Sequence, residues 1–148
     1  EQPFPLEIIE IENLEKFRIL PDVEATPWST PHTDNSFAIH LRDNSGKTLV
    51  YTADTGFSEV LATFARRVDL LLMECSFLYN KPVKIHLELA DAIQIVRRAE
   101  PRKTILTHLY AQWDNVDFEE EVSKFSPIGE VIEARDGLRI EIYLTAIR

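Results

Sequence analysis

Three side chains able to bind a metal ion sit where extended segments end or loops begin. They are His32 in Pro-His-Thr-Asp-Asn-Ser-Phe, Asp54 in Val-Tyr-Thr-Ala-Asp-Thr-Gly, and His108 in Thr-Ile-Leu-Thr-His-Leu. An imidazole offers a neutral nitrogen, and an aspartate offers hard anionic oxygens that can bridge two cations. The set suits zinc, manganese or iron better than calcium or magnesium. It is half of what a dinuclear site needs, and nothing else in the chain supplies the other half. Each residue alone has a plainer reading: His32 as an exposed loop histidine, Asp54 as a turn-former, His108 as a hydrogen-bonded core histidine. Glu74, at the end of an apolar run, could accept a hydrogen bond that orients a ligating imidazole. His86 is either an ordinary helix-start residue or part of the same chemistry. His40 alternates with Phe37, Ile39 and Leu41 and should point away from them, while Cys75 reads as a small buried side chain.

The elements that must position these residues follow from periodicity. Leu6 to Glu12 and Phe17 to Ala25 are rich in apolar and β-branched residues, and Phe37 to Leu41 alternates strictly, so three strands are expected before the middle. Arg42 to Lys47 supplies turn residues, and Thr48 to Thr52 is the return strand of a hairpin, with Asp54 just past its end. Ser58 is a good N-cap for a helix carrying Val60, Leu61, Phe64, Ala65 and Val68, which leads into a strand from Asp69 to Met73. A second helix is expected from His86 to Glu100, stopped by Pro101 and followed by the strand Thr104 to Thr107. Two strand-helix-strand units in succession imply parallel neighbours. Ligands in such sheets gather beyond the C-terminal strand ends, where Asp54, Glu74 and His108 would emerge. Asp117 with Glu120 starts a short helix reaching Phe125, and Val131 to Tyr143, turning at Arg135-Asp-Gly137, reads as a closing hairpin. The expected fold is a single α/β domain in which a β-rich start gives way to helix-covered parallel strands.

Composition narrows the partners. With 148 residues, 45% of them hydrophobic, the chain can build one real core. Lys and Arg number 16 against 25 Asp and Glu, and the net charge of −9 repels a polyanion at long range. The densest basic positions, Arg66, Arg67, Arg97, Arg98, Arg102 and Lys103, fit solvated helix ends and turns better than a nucleic-acid surface. A single cysteine excludes an internal disulfide and fits a reducing compartment, so a cytoplasmic protein is expected. No apolar run approaches the roughly 18 residues of a membrane span. The start without Met suggests a piece of something longer. Only four glycines are present, with no Gly-rich phosphate loop, which sets aside a simple nucleotide-binding domain.

Taken in order, Thr-Pro-His32-Thr-Asp-Asn-Ser, Tyr-Thr-Ala-Asp54-Thr-Gly, Leu-Met-Glu74-Cys-Ser-Phe, His86-Leu-Glu-Leu-Ala-Asp and Ile-Leu-Thr-His108-Leu resemble the C-terminal half of metallo-β-lactamase-fold hydrolases. The resemblance is nearest to the ribonuclease Z and phosphodiesterase-like branch and covers almost the whole chain. It implies half of a four-layer αββα sandwich, with a mixed sheet carrying helices on one face and two divalent metals, zinc first and manganese or iron as alternatives, at one edge. His32, Asp54 and His108 would be metal ligands, with Asp54 bridging. His86 and Glu74 would be the catalytic pair: His86 matches the His of that branch's His-Ser-Thr segment, and Glu74 the Glu of its His-Glu-Ala-Thr segment. In that family a bridging hydroxide attacks a phosphodiester or other ester.

The departures also carry expectations. The family's His-x-His-x-Asp-His signature belongs to the N-terminal half and is absent here, so the site would be complete only with that half, on the same or a separate chain. Met73 and Leu87-Glu88 replace expected residues, and Leu-Tyr-Ala-Gln-Trp follows His108 where an arginine-bearing segment is usual. The stretch between His32 and Asp54 is too short for the tRNA-gripping arm of ribonuclease Z. The resemblance therefore implies a hydrolase acting on a small-molecule or nucleotide ester, with no membrane partner and a homo-oligomeric assembly. The alternative is a non-catalytic binding or structural half-domain, or a swapped dimer.

Overall fold

The computed structural model describes residues 8–142. Seven strands form one sheet in sequence order: β1 (Phe17–Leu20), β2 (Val23–Ser29), β3 (Phe37–Asp43), β4 (Thr48–Tyr51), β5 (Leu70–Glu74), β6 (Lys103–Thr107) and β7 (Glu130–Glu133). The first four run as an antiparallel meander, and β4 to β7 are mutually parallel. The switch has a simple cause. Short polar turns join β1 to β4, whereas β4, β5 and β6 are each followed by a helix that carries the chain back before the next strand. These helices are α1 (Glu59–Phe64), α2 (Leu89–Ala99) and α3 (Phe118–Ser123).

The three helices cover one face. Ala38, Val50, Leu71, Met73 and Leu106 project from the sheet into a core shared with Leu61 and Ala65, the buried stripe of α2 and Val122 of α3. The α2 stripe is Leu89, Ala92, Ile93, Ile95, Val96 and Ala99. Each fully buried aliphatic side chain of this size contributes roughly 1.5–3 kcal/mol, so α2, the longest helix, is held mainly by packing. Ser58 accepts from the Val60 and Leu61 amides and starts α1, as expected. Glu100 stops α2 in a left-handed conformation ahead of Pro101. His40 does turn away from Ile39 and Leu41, onto this helix-covered face, where its ring lies 5.9 Å from Phe64. Burial first, and Arg42 second, lower its pKa and so favour the neutral imidazole.

The other face carries an apolar row that crosses six strands in register: Pro27, Ile39, Tyr51, Leu72, Ile105 and Ile132. Tyr51 in the middle of this row is 41% exposed.

Three expected elements differ. Phe17 to Ala25 is not one strand but a hairpin, because Pro21 has no N–H to give a ladder and Asp22 completes a two-residue turn between β1 and β2. Residues 8–12 form no strand, and Leu6 lies outside the described residues. The closing hairpin is also absent as such. The turn at Asp136-Gly137 forms, with the Leu138 amide donating to the Arg135 carbonyl, but β7 pairs in parallel with β6 through the α3 crossover. Ile140 and Ile142 instead border Leu70 and Lys103 at the N-terminal ends of β5 and β6, while Tyr143 lies outside the described residues. No helix among the described residues is long and apolar enough to cross a membrane.

Thr104 tests the core. It is 1% exposed, and its hydroxyl is the one buried side-chain polar atom among the described residues without a hydrogen-bond partner. Thr104→Val removes the stranded hydroxyl at nearly constant volume and should raise stability by about 1 kcal/mol, or about 3 °C in melting temperature. A lower melting temperature would show that the hydroxyl has a partner the fold needs.

Candidate metal centre

The parallel strands end at one edge of the sheet, and the chemistry-bearing residues gather there. Asp54 lies in the loop leaving β4, Glu74 is the last residue of β5, and His108 directly follows β6. His32 arrives from the β2–β3 loop and His86 from the loop before α2. Gly56 shows how closely three of these loops approach one another. A Cβ placed on it would lie 2.3 Å from the Lys84 carbonyl oxygen and 3.0 Å from that of Pro31, so no larger residue fits.

Asp54 presents one oxygen to each of two imidazoles. Its Oδ2 is 3.7 Å from His32 Nε2, and its Oδ1 is 3.6 Å from His108 Nε2. These separations exceed a hydrogen bond yet match donor atoms sharing a cation, whose bonds to N and O are about 2.0–2.2 Å. The His32 ring is fixed by its own Nδ1–H, which donates to the Ile85 carbonyl at 3.0 Å and leaves the Nε2 lone pair for the site. The Asp54 backbone is held too, because the Thr30 hydroxyl donates to its carbonyl at 3.0 Å.

His86 joins this group. His32, Asp54 and His86 each offer one ligand atom, all within 4.8 Å of one another. Its Nδ1–H donates to Glu74 Oε1 at 2.8 Å, so Nε2 is the nitrogen left for the site. The Glu74 carboxylate is 1% exposed and accepts more besides: the Thr55 amide on Oε1, and on Oε2 the Ser76 hydroxyl, the Ser76 amide and the Leu87 amide. Lys81 reinforces the same loop through its ammonium, which donates to the His86 carbonyl and pairs with Asp91 at the start of α2.

Some of the neighbourhood was not anticipated from sequence. Ser76 shares the Nδ1 side of His86 with Glu74, at 3.2 Å, and is wholly buried. Serine and acid on the same ring nitrogen do not make a nucleophile and its base, so Ser76 is a support. Its place two residues after Glu74 was the available signal. Tyr110 lies against His108 and His86, with ring centroids 5.0 and 5.8 Å apart, and nothing in its apolar sequence context distinguished it. Cys75 is buried as expected. Burial, aided by the charge of Glu74, pushes its thiol pKa well above the ordinary range, which makes it a poor nucleophile.

Residues 1–109 match the Beta-lactamase superfamily domain. The chain belongs to this superfamily. It is 31% identical over 106 residues to a Ribonuclease Z of Gemmatimonas aurantiaca, covering 68% of this chain and 33% of that protein. It is 32% identical over 82 residues to the probable metallo-hydrolase YhfI of Bacillus subtilis, covering 54% and 33%. The crystal structure of YhfI superimposes with a TM-score of 0.74 at 26% identity, over 88% of this chain and 54% of that one. Zn(2+)-bound PqqB from Methylobacterium extorquens gives a TM-score of 0.70 at 18% identity, over 88% and 51%, a likeness of fold alone. The chain thus spans about a third of the length of the curated relatives it matches and about half of the solved structures. This is a metallo-hydrolase family of the β-lactamase fold, and divalent-metal binding is a family property consistent with the donor set found here.

Glu74 gives a test of how the site is held. Glu74→Gln keeps the shape but turns an amide NH₂ toward groups that are themselves donors. It should lower stability by about 2–4 kcal/mol, read as a fall in the urea midpoint at unchanged slope. An unaltered midpoint would mean that Glu74 does not hold the loops together.

Proposed function

We propose that this chain contributes the His32–Asp54–His108 side of a dinuclear hydrolase site that cleaves a phosphodiester or other ester. The observation that carries this reading is the Asp54 carboxylate, with its two oxygens turned to two different imidazoles. One cation would be held by Asp54 with His32 and the other by Asp54 with His108. Zinc, the ion named for PqqB, suits these donors, with manganese or iron as alternatives. Bound there, two cations supply Lewis acidity toward the ester and lower the pKa of water.

The rest is work for the protein's own groups. Glu74 keeps one proton of His86 on Nδ1 and so turns the Nε2 lone pair to the site, where Nε2 can take a proton from the attacking water and pass that same proton to the departing oxygen as the ester bond breaks. Ile85 and Thr30 hold His32 and Asp54 in place, so little reorganisation is needed. A second reading gives His86 a ligand's place, supported by its ligand atom lying within 4.8 Å of those of His32 and Asp54.

The remaining ligands would come from an N-terminal half of the same fold, on the same or a separate chain. The partly exposed members of the apolar row, Ile39, Tyr51, Leu72 and Ile132, support this, since apolar side chains aligned across a sheet face are normally covered. The competing reading is a non-catalytic half-domain or a dimer of two such copies. In the assembled protein Asp54→Ala should cut bound metal from about two ions per site to one or none, measured by native mass spectrometry and elemental analysis, and abolish ester hydrolysis. Full metal content with undiminished turnover would sink the assignment, and a metal-free homodimer of the unaltered chain would favour the competing one.

A further inference from the structure

We propose that Tyr110, backed by Phe77, forms an aromatic subsite beside the candidate metal centre that receives a planar ring attached to the scissile ester. The inference rests on the hydrolase reading above and narrows its substrate. Tyr110 sits edge-on to His108, centroids 5.0 Å apart, and to Phe77, 5.2 Å apart, with His86 at 5.8 Å. Phe77 in turn lies 6.3 Å from His86. Four rings therefore enclose one corner of the site. Two of them stay open: Tyr110 is 39% exposed and His108 beside it is exposed too, while Phe77 is half-buried and His86 is buried.

The placement is rigid. The Tyr110 amide donates to the Ser76 carbonyl at 3.0 Å, and the Phe77 amide donates to the Leu87 carbonyl at 3.1 Å. Both aromatic residues are thus tied to the segments that carry Glu74 and His86. These bonds fix the backbone, and the edge contacts with His108 and Phe77 restrict how the Tyr110 ring can turn, so less side-chain freedom is lost on binding. The charge distribution agrees. Among the described residues the ion-pair partners of Asp54 are imidazoles; Glu74 and Ser76 take the Nδ1 side of His86, rings pack on His86 and His108, and the nearby Lys81 ammonium is engaged by Asp91 and the His86 carbonyl. Recognition of a chain of phosphates would call for guanidinium or ammonium groups at this place. Ring faces favour a planar, weakly charged substituent, which either a nucleobase or a simple aryl group would provide.

The test uses the full zinc-loaded chain in the assembly it adopts in solution, with calorimetric titration of two pairs of ligands. Phenylphosphonate against methylphosphonate isolates a small aryl ring, and adenosine monophosphate against ribose 5-phosphate isolates a nucleobase. The ring-bearing member of at least one pair should bind about tenfold more tightly. The larger preference identifies the source of the ring. Tyr110→Ala should abolish the preference and leave the binding of methylphosphonate and ribose 5-phosphate unchanged, whereas Tyr110→Phe should retain it. Zinc content, measured alongside, should be the same in all three proteins. Equal affinity within both pairs, or a preference that survives Tyr110→Ala, overturns the subsite. Zinc content also separates the two readings: a chain that holds zinc without any ring preference loses only the aromatic subsite, while a chain that holds none loses the hydrolase reading and this one with it.

Discussion

A fully buried carboxylate must have its lone pairs filled, and around Glu74 that requirement organises the edge of the sheet. Removing a carboxylate from water costs several kcal/mol unless hydrogen bonds replace the lost hydration. The replacements come from three places in the sequence: the loop after β4 through Thr55, the end of β5 through Ser76, and the approach to α2 through His86 and Leu87. None can leave without stranding a charge in the interior. Asp54 immediately precedes Thr55 and His86 precedes Leu87, so satisfying Glu74 also fixes a candidate bridging ligand and the imidazole beside it. The Gly56 contact with Lys84 and Pro31 closes the same arrangement from the His32 side.

The sheet makes this convergence possible. Parallel strands β4, β5 and β6 all deliver their C-terminal ends to one edge, and the helices return the chain along the covered face. The meander of β1 to β3 adds His32 from the side, through a hairpin loop whose Thr30 amide is bonded back to Ser36. Five segments, far apart in sequence, therefore meet at one edge of the sheet.

Much of this was legible in the sequence because the signals were local. Ser58 before an apolar helical stripe, Pro101 after one, and the apolar runs at Leu70–Glu74 and Lys103–Thr107 each state their own element, and the parallel order follows from their alternation with helices. The errors fell where pairing decides. Phe17 to Ala25 contains β-forming residues throughout, and only the ladder shows that Pro21 divides it. Val131 to Tyr143 looks like a hairpin by composition, yet β7 pairs in parallel with β6 and the described residues after it form no strand. At the site, the ordered set His32, Asp54, Glu74, His86 and His108 was readable, and the structure brings all five together. Tyr110 and the Ile85 carbonyl were not. A ring contact and a backbone acceptor acquire meaning only when distant loops meet.

The backbone supplies the last piece of the argument. His108 and Ala53, the residue before Asp54, both adopt the left-handed conformation, at φ of 56° and 49°, where a side chain costs roughly 1 kcal/mol or more relative to ordinary backbone. Such strain persists only where the surroundings over-determine it. For Ala53 they do: Thr52 is fixed on one side by its amide to Leu72, and its hydroxyl receives the Glu74 amide, while Thr55 is fixed on the other side by the Glu74 carboxylate. For His108, the Thr107 carbonyl receives the Cys75 amide and Tyr110 is tied to Ser76. Both sharp turns are thus clamped to the end of β5. Asp54 Oδ1 and His108 Nε2 face each other across 3.6 Å just beyond these turns. Strain at one donor, His108, and at Ala53 next to the other, each held by bonds to β5 and the residues just after it, is the pattern expected where position matters more than local stability.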